Sequence, residues 1–338
     1  MTRQRHTVEL LPLRRSIDAG EDRPVLEAAL AAGLNIPHSC KSGHCGSCRA
    51  RLIRGRVEYP HGRPLGLTEV EAAEGFVLLC QARALSDLTV EVRQVASSAD
   101  VEIKTLPARI ARLRKLAPDV MQVWLRLPAV ERLDFAAGQY LDVLIERGRR
   151  RSFSIASPPH DSELIELHAR HVPGGSFTDR LFGAIAEGAL LEIEGPLGQF
   201  VYREEARPAL LIAGGTGFAP LKAMLRHALE RGSQRRFLLY WGARTPIDLY
   251  EEPLVVDWTR RHPQLTFVPV LSETAPPGAG SRRCGWVHEA VLADHASLAP
   301  YEVYAAGPPA LIEAIRSTFP PRGLPVEQLH FDSFDYAE

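Results

Sequence analysis

No stretch of this 338-residue sequence approaches eighteen consecutive apolar residues, so it offers no candidate for a membrane-spanning helix. An excess of either charge sign is also missing: forty Lys+Arg face forty-one Asp+Glu, for a formal charge of −1. A nucleic-acid-binding surface usually shows as a basic excess, so that class is disfavoured. Five cysteines are too few for a disulfide scaffold. The opening Met-Thr-Arg-Gln-Arg-His runs into an alternating segment without the apolar core of an export signal, which leads us to expect a cytoplasmic protein. Hydrophobic residues at 45% and charged residues at 24% exclude a largely disordered chain. No internal repeat is visible, and the one biased stretch is the Pro/Gly-rich segment Thr274 to Gly280. The length predicts about two to three domains.

Three textures follow one another along the chain. In the first 96 residues, His6 to Leu13, Arg49 to Val57 and Leu88 to Val95 read as strands. Pro24 to Ala32 reads as a helix capped by Asp22 and stopped by Gly33. A small, polar seam, Ala96 to Asp100, falls within an expected linker at 97–103. From 104 to 204, short strands with Gly and Pro turns predict a small antiparallel barrel. Its strand candidates are Ala108 to Arg114, Val120 to Leu127, Tyr140 to Ile145, Arg151 to Ala156 and Leu164 to His171, with one helix at Phe177 to Ala186. From 205 to 338, apolar runs at Ala209 to Ala213, Arg236 to Trp241, Thr266 to Leu271 and Glu302 to Ala306 alternate with helix patterns. Those patterns lie at Leu221 to Arg231, Trp286 to His295 and Pro309 to Phe319. Such alternation predicts an α/β domain with a parallel sheet.

The cysteines supply the first chemistry. Cys40-x4-Cys45-x2-Cys48, with Cys80 after thirty-one intervening residues, is the plant-type spacing for a [2Fe–2S] cluster. Gly43 and Gly46 let the backbone wrap tightly and aim N–H groups at sulfur, and Ser39, Ser42 and Ser47 offer hydroxyls. The competing reading is structural zinc, which normally pairs two short hooks where this sequence has one. His44 reads as a surface residue, and Cys284 as an ordinary small apolar one. The region resembles a plant-type ferredoxin domain, which implies a β-grasp-like α+β fold with Cys40, Cys45, Cys48 and Cys80 as metal ligands. Free plant-type ferredoxins are strongly acidic, whereas residues 1–95 hold thirteen Lys+Arg and eleven Asp+Glu. A near-neutral cluster domain fits one tethered to its electron source, which needs no long-range steering.

Arg151-Ser152-Phe153-Ser154 resembles the R-x-[YF]-S motif of the ferredoxin–NADP⁺ reductase superfamily. Arg151 can pair with a flavin pyrophosphate, Phe153 can face the flavin, and Ser154 can hydrogen-bond the nitrogen that receives hydride. Alone the tetrapeptide is equally an exposed basic strand. His168 to Val172 then leads into Gly174-Gly175-Ser176-Phe177-Thr178, glycines opening a helix, as phosphate binding favours. The superfamily has a matching G-x-x-[ST] element, and Glu194 to Phe200 resembles the turn that closes its flavin barrel. His168 and His171 read as strand histidines with cofactor contacts at most.

Gly214-Gly215-Thr216-Gly217-Phe218-Ala219-Pro220 lies between a buried strand and a helix, the context a dinucleotide loop requires. Pro220 replaces the usual third glycine and suits a first helical position. No acid ends the second strand, where the ribose is normally held. Gly242, Arg244, Asp248 and Tyr250 follow instead. Arg244 can serve a 2′-phosphate or stack on adenine, and NADH is the expected donor with NADPH open. The superfamily resemblance places Thr216 near the nicotinamide. It also matches Ala306-Gly307-Pro308, with Ala306 where a cysteine is common, and Phe331-Asp332-Ser333-Phe334, an aromatic ending that puts Phe334 over the flavin, although four further residues, Asp335 to Glu338, follow it here.

Residues 6 to 334 as a whole resemble ferredoxin-fused flavin reductases of bacterial multicomponent systems. Arg149 to Ser157, His168 to Asp179, Leu239 to Arg244 and Val287 to Asp294 are most similar to the CDP-6-deoxy-glucoseen reductase group. The resemblance implies an enzyme that passes electrons from NAD(P)H to FAD to [2Fe–2S] to a terminal oxygenase or dehydratase, with Ser154 and Thr216 nearest hydride transfer. Two other readings stay open. One is a redox-sensing flavin and iron–sulfur protein with poor turnover, for which Ala306 speaks. The other is a zinc-stabilised module on an inactive flavoprotein scaffold, which the cysteine spacing opposes.

Overall fold

The computed structural model describes residues 5–34, 36–38, 41, 43, 46–92, 103–146, 149–161, 163–175, 177–273 and 282–334. The seam at Ala96 to Asp100, the Pro/Gly segment Thr274 to Gly280, Ser39, Cys40, Ser42, His44, Cys45, Ser176 and the ending Asp335 to Glu338 lie outside them. The chain divides into two compact units, Met1–Asp100 and Val101–Glu338.

The first unit comprises β1 (Arg5–Leu11), β2 (Arg15–Gly20), α1 (Val25–Ala31), β3 (Arg49–Arg54), β4 (Val57–Glu58), α2 (Glu69–Ala73), β5 (Phe76–Leu78), β6 (Arg83–Ala84) and β7 (Leu88–Val92). Its sheet runs β2-β1-β7-β3-β5, with β1 and β7 parallel and the other pairs antiparallel. Val8 and Leu10 of β1 alternate with exposed residues and meet Val25, Leu26 and Ala29 of α1 in one core. The helix N-cap is Pro24 rather than Asp22, because the Arg23 N–H to Gly20 C=O turn places Asp22 before it. Gly33 ends the helix with φ +74°, as a left-handed C-terminal residue does. The short β2, α2, β5 and β6 are absent from the sequence reading.

The second unit opens with six antiparallel strands: β8 (Lys104–Ala117), β9 (Val120–Arg126), β10 (Tyr140–Leu144), β11 (Arg150–Ser154), β12 (Ile165–Arg170) and, after α3 (Thr178–Gly183), β13 (Leu190–Leu197). They are ordered β11-β10-β13-β8-β9-β12, and an Ile155–Leu167 bridge joins the two ends into a barrel. The segment that reads as a closing turn from Glu194 is the end of β13, paired to β10 and β8.

The rest of this unit is a parallel sheet of β14 (Ala209–Gly214), β15 (Phe237–Ala243), β16 (Leu265–Leu271), β17 (Arg283–Cys284), β18 (Glu302–Gly307) and β19 (Leu329–Ser333). Its order is β17-β16-β15-β14-β18-β19, with α4 (Phe218–Glu230), α5 (Glu252–Arg261), α6 (Val287–Asp294) and α7 (Pro309–Thr318) between the strands. β14 and β15 read as unbroken apolar runs because both faces are covered. Ala137 and Phe200 of the barrel segment share a core with Phe218, Met224 and Trp241, so barrel and sheet are packed together. Cys284, read as an ordinary small apolar residue, is exposed on a two-residue edge strand. Among the described residues, no helix is long and apolar enough to cross a membrane.

Candidate functional site

In the first unit, Cys48 directly precedes β3 and Cys80 follows β5, and both are buried. The two meet: Cys80 N–H donates to Cys48 Sγ at 3.4 Å, and Leu79 N–H donates to Cys48 C=O at 3.1 Å. Gln81 ties this segment to the loop by donating Nε2 to Lys41 C=O at 3.0 Å. Gly43 stands at φ +84°, and a Cβ there would lie 2.8 Å from Gln81, so both conformation and space demand glycine. Cys40 and Cys45 lie outside the described residues. Burial pushes the Tyr59 phenol up to about 12, against a Leu78 N–H that favours its ionised form and with the charge of Cys48 and Cys80 adding to the rise. Two buried sulfurs with a backbone N–H aimed at one fit an iron–sulfur ligand set.

Behind that loop stands a buried ion pair between Arg49 and Glu71. Glu71 also accepts from Thr68 N–H at 3.0 Å while Thr68 Oγ1 accepts from Glu71 N–H at 3.2 Å, closing a capping box on α2. The Arg49 guanidinium lies 5.1 Å from the centre of the Phe76 ring.

In the second unit, β11 alternates so that Arg151 and Phe153 are half-buried and Ser154 is buried. Arg151 Nη1 donates to Arg150 C=O at 2.9 Å, and the Phe153 ring lies 5.6 Å from that of Phe177. Ser154 Oγ donates to Asp332 Oδ2 at 3.4 Å, across 178 residues of sequence. Asp332, quoted above only as part of an ending, is thus brought beside Ser154; β19 carries it there by pairing parallel to β18. Phe334 N–H donates to Gly307 C=O at 2.9 Å. The Gly174-Gly175 turn is closed by Thr178, whose Oγ1 accepts from Val172 N–H at 3.2 Å. Ser176 lies outside the described residues.

The glycine loop turns from β14 through a short 3-10 segment, Gly215–Gly217, into α4. A Cβ on Gly217 would lie 1.9 Å from Ala306 C=O, so only glycine lets this turn cross the end of β18. That crossing, between β14 and β18, is where the strand order reverses, the usual ligand crevice of an open parallel sheet. Thr216 is buried there, and Ala306 is wholly buried in the core it shares with Trp241 and Tyr304. Pro220 occupies the third rather than first helical position, still inside the turn whose N–H groups lack helical acceptors. Trp241 Nε1 donates to Gly215 C=O at 3.0 Å and its ring stacks on Phe218 at 4.0 Å. Gly242 packs against Val287 at the end of β15. Arg244 and Asp248 follow, joined at 3.2 Å.

Between barrel and sheet lies a buried polar cluster that no motif announced. Lys222 Nζ of α4 donates to Glu166 Oε1 of β12 at 2.7 Å and to both Glu251 oxygens at 2.9 and 2.8 Å. His168 contacts Glu166 Oε1 through Nε2 at 2.9 Å and the Tyr250 hydroxyl through Nδ1 at 3.0 Å. Its side chain is wholly covered and both ring nitrogens are engaged by protein, so His168 is a member of this joint. Burial alone pushes the Glu166 carboxyl up, but the hydrogen bonds and charges of His168 and Lys222 outweigh it and hold it well below the usual carboxylate range. Glu166, His168 and Glu251 bring donor atoms within 4.8 Å of one another, and the Lys222 ammonium supplies the cation among them.

Comparison with known proteins matches three family models in order: a 2Fe-2S iron–sulfur cluster binding domain over residues 8–85, an oxidoreductase FAD-binding domain over 107–202, and an oxidoreductase NAD-binding domain over 211–317. The CDP-6-deoxy-L-threo-D-glycero-4-hexulose-3-dehydrase reductase of Yersinia pestis is 37% identical over 310 residues, 92% of each chain. The chain belongs to the ferredoxin-fused FAD/NAD(P)H reductases. Reductase component 2 of terephthalate 1,2-dioxygenase from Comamonas is 36% identical, covering 92% of this chain and 91% of its own. Among solved structures, an Amycolatopsis cytochrome P450 reductase has 35% identity and a TM-score of 0.74, with 97% of this chain and 98% of that one covered. This reductase is accordingly an NAD(P)H-dependent iron–sulfur flavoprotein oxidoreductase with [2Fe–2S], FAD and nicotinamide dinucleotide as its cofactors.

Proposed function

We propose that this cytoplasmic reductase is the electron-donating component for a separate enzyme, a terminal oxygenase or a CDP-sugar dehydratase as its relatives' names describe, and that NADH is its donor. The domains then lie at 1–96, 104–204 and 205–338, with the linker at 97–103. The observation that carries the reading is the Ser154 to Asp332 contact at 3.4 Å, which joins the R-x-[YF]-S strand to the strand beside the glycine crossing. FAD held by the barrel would supply the conversion between the two-electron chemistry of a nicotinamide and the one-electron chemistry of an iron–sulfur cluster.

The chain's own residues do the positioning. Arg151 binds the flavin pyrophosphate and Phe153 flanks the flavin, with Phe334 on the C-terminal side. Ser154, its hydroxyl oriented by Asp332, is held where it meets the hydride-accepting nitrogen. Thr216 orients the nicotinamide, and Gly214, Gly215 and Gly217 let the backbone approach the dinucleotide at the start of α4. Gly174, Gly175, Ser176 and Thr178 shape the flavin phosphate turn, with Gly307 and Pro308 bounding the crevice. Cys40, Cys45, Cys48 and Cys80 hold the iron.

The test is Cys80→Ala in the full chain. Its reddish-brown absorbance should disappear and cytochrome c reduction fall to background, while FAD content and NADH-dependent ferricyanide reduction persist. Unchanged cytochrome c reduction would show that electrons bypass the cluster. Turnover of the native protein below about 0.1 per second, far under the usual enzyme range, would favour a redox sensor.

A further inference from the structure

In an open parallel sheet the adenosine ribose is held at the carboxyl end of the second strand, ordinarily by an acid, and an arginine nearby accommodates a 2′-phosphate. Here β15 ends in Gly242-Ala243 and is followed by Arg244, a residue type that can serve a 2′-phosphate or stack on adenine. The surroundings of Arg244 point away from a 2′-phosphate. Its Nη2 donates to two carboxylates at once, Asp119 Oδ2 at 3.3 Å and Asp248 Oδ1 at 3.2 Å. Neither acid is a loose surface group. Asp248 is held through its other oxygen, which accepts from Thr245 N–H and Thr245 Oγ1, both at 3.1 Å. Asp119 sits in the β8–β9 turn of the flavin barrel and also pairs with Arg170 Nη1 at 3.2 Å. A third carboxylate, Glu273, adds its charge, and its N–H donates to Arg244 C=O at 3.0 Å.

Two guanidiniums thus contact two carboxylates, Asp119 and Asp248, and the exposed Glu273, tied to Arg244 by its backbone, adds a third acid to this corner. We propose that Asp119, Asp248 and Glu273 form an acidic clamp on Arg244 that makes this reductase select NADH and reject NADPH, with Asp119 reaching from the flavin barrel to set nucleotide specificity. A 2′-phosphate would have to displace carboxylates already seated on the guanidinium, or lie beside three like charges. A ribose bearing only hydroxyls meets no such repulsion and finds carboxylate acceptors. The discrimination comes from the repulsive element more than from any contact NADH gains. The inference rests on reading the ends of β14 and β15 as the dinucleotide site.

The experiment is calorimetric titration of the full holoprotein with 5′-AMP and with 2′,5′-ADP, which differ by the 2′-phosphate alone. The native protein should bind 5′-AMP tighter by at least about tenfold, as like-charge exclusion requires. Asp119→Asn should tighten 2′,5′-ADP by about tenfold and move 5′-AMP by no more than about twofold, because the charge is removed while the shape is kept. Adding Arg244→Ala to that variant should abolish the gain, since the freed guanidinium supplies it. Glu273→Gln, at an exposed residue away from the hairpin, separates charge from fold and should give a smaller rise, about threefold. Equal native affinities, or 2′,5′-ADP binding unmoved by both single variants, overturn the clamp. If the native protein binds neither compound, the dinucleotide-site reading falls and the clamp with it.

Discussion

In the ferredoxin unit one buried ion pair, Arg49 with Glu71, stands behind the cysteine loop; in the larger unit Lys222, Glu166, His168 and Glu251 together occupy the joint between barrel and sheet. The first pair is nearly local, 22 residues apart, and Glu71 does a second task in the cap of its own helix. The second cluster draws on β12, α4 and the residue preceding α5, with Lys222 and Glu166 separated by 56 residues. In the ferredoxin unit the described cysteines, Cys48 and Cys80, are joined by backbone N–H contacts from the segment after β5, with the Arg49–Glu71 pair beside Cys48. At the joint, charges from distant elements fix how the flavin strand and the glycine loop face each other. Loss of a buried cation that serves two carboxylates leaves Glu251 the longer Arg114 and His168 contacts, at 3.8 and 3.7 Å, and leaves Glu166 with His168 as its ionisable partner, a larger loss than that of a single paired acid.

The sharpest way to break this comparison is Lys222→Met, which keeps most of the aliphatic stem and removes the ammonium that Glu166 and Glu251 share. Removing one partner of a buried ionic group typically costs about 3–5 kcal/mol. Urea unfolding followed by flavin fluorescence should show a loss of that size, with NADH-dependent ferricyanide reduction falling in step. A loss under about 1 kcal/mol, the level of an exposed pair, would mean that the shared apolar core of Phe200, Phe218 and Met224 carries the joint alone.

Glu71→Gln asks the same of the ferredoxin unit and should cost less. The single carbonyl oxygen of glutamine can serve Thr68 N–H or Arg49 but not both, so one of the two contacts Glu71 makes is lost. A buried hydrogen bond to a charged group is worth about 1.5–3 kcal/mol, and part of it survives this exchange. The denaturant midpoint for loss of the cluster's visible absorbance should fall by the equivalent of the lower end of that range. A cost matching that of Lys222→Met would erase the distinction between the two units.

The same contrast explains what could be read from the residues in order. Cys40 to Cys48, Arg151 to Ser154 and Gly214 to Gly217 are runs whose residues are neighbours along the chain, so spacing and type single them out as candidates. The joint is built from residues ordinary in isolation. Its one signal is positional: Phe218, Lys222, Leu225 and Leu229 share the buried stripe of α4, so a lysine stands where the helical period calls for an apolar side chain. β5 and β6, of three and two residues, carry too few residues for a period to show, and they, like β19, are fixed by the strands they pair with. Asp332 shares that origin, because its place beside Ser154 depends on β19 lying against β18. Asp22 fails as a cap for a related reason: the Gly20 to Arg23 turn decides where α1 begins.

Thr68→Ala is the smallest of these changes and separates the two tasks of Glu71. It removes the hydroxyl that accepts from Glu71 N–H at 3.2 Å and leaves the Arg49 pair in place. Losing such a cap typically costs about 1 kcal/mol. The cluster-bleaching midpoint should therefore shift less than in Glu71→Gln, and the double variant should fall short of the sum, since both residues act on one short helix and share a hydrogen bond. Full additivity would show that the cap and the ion pair support the cysteine loop independently. A Thr68→Ala loss larger than that of Glu71→Gln would make the turn itself, rather than the charge behind it, the principal support of the loop.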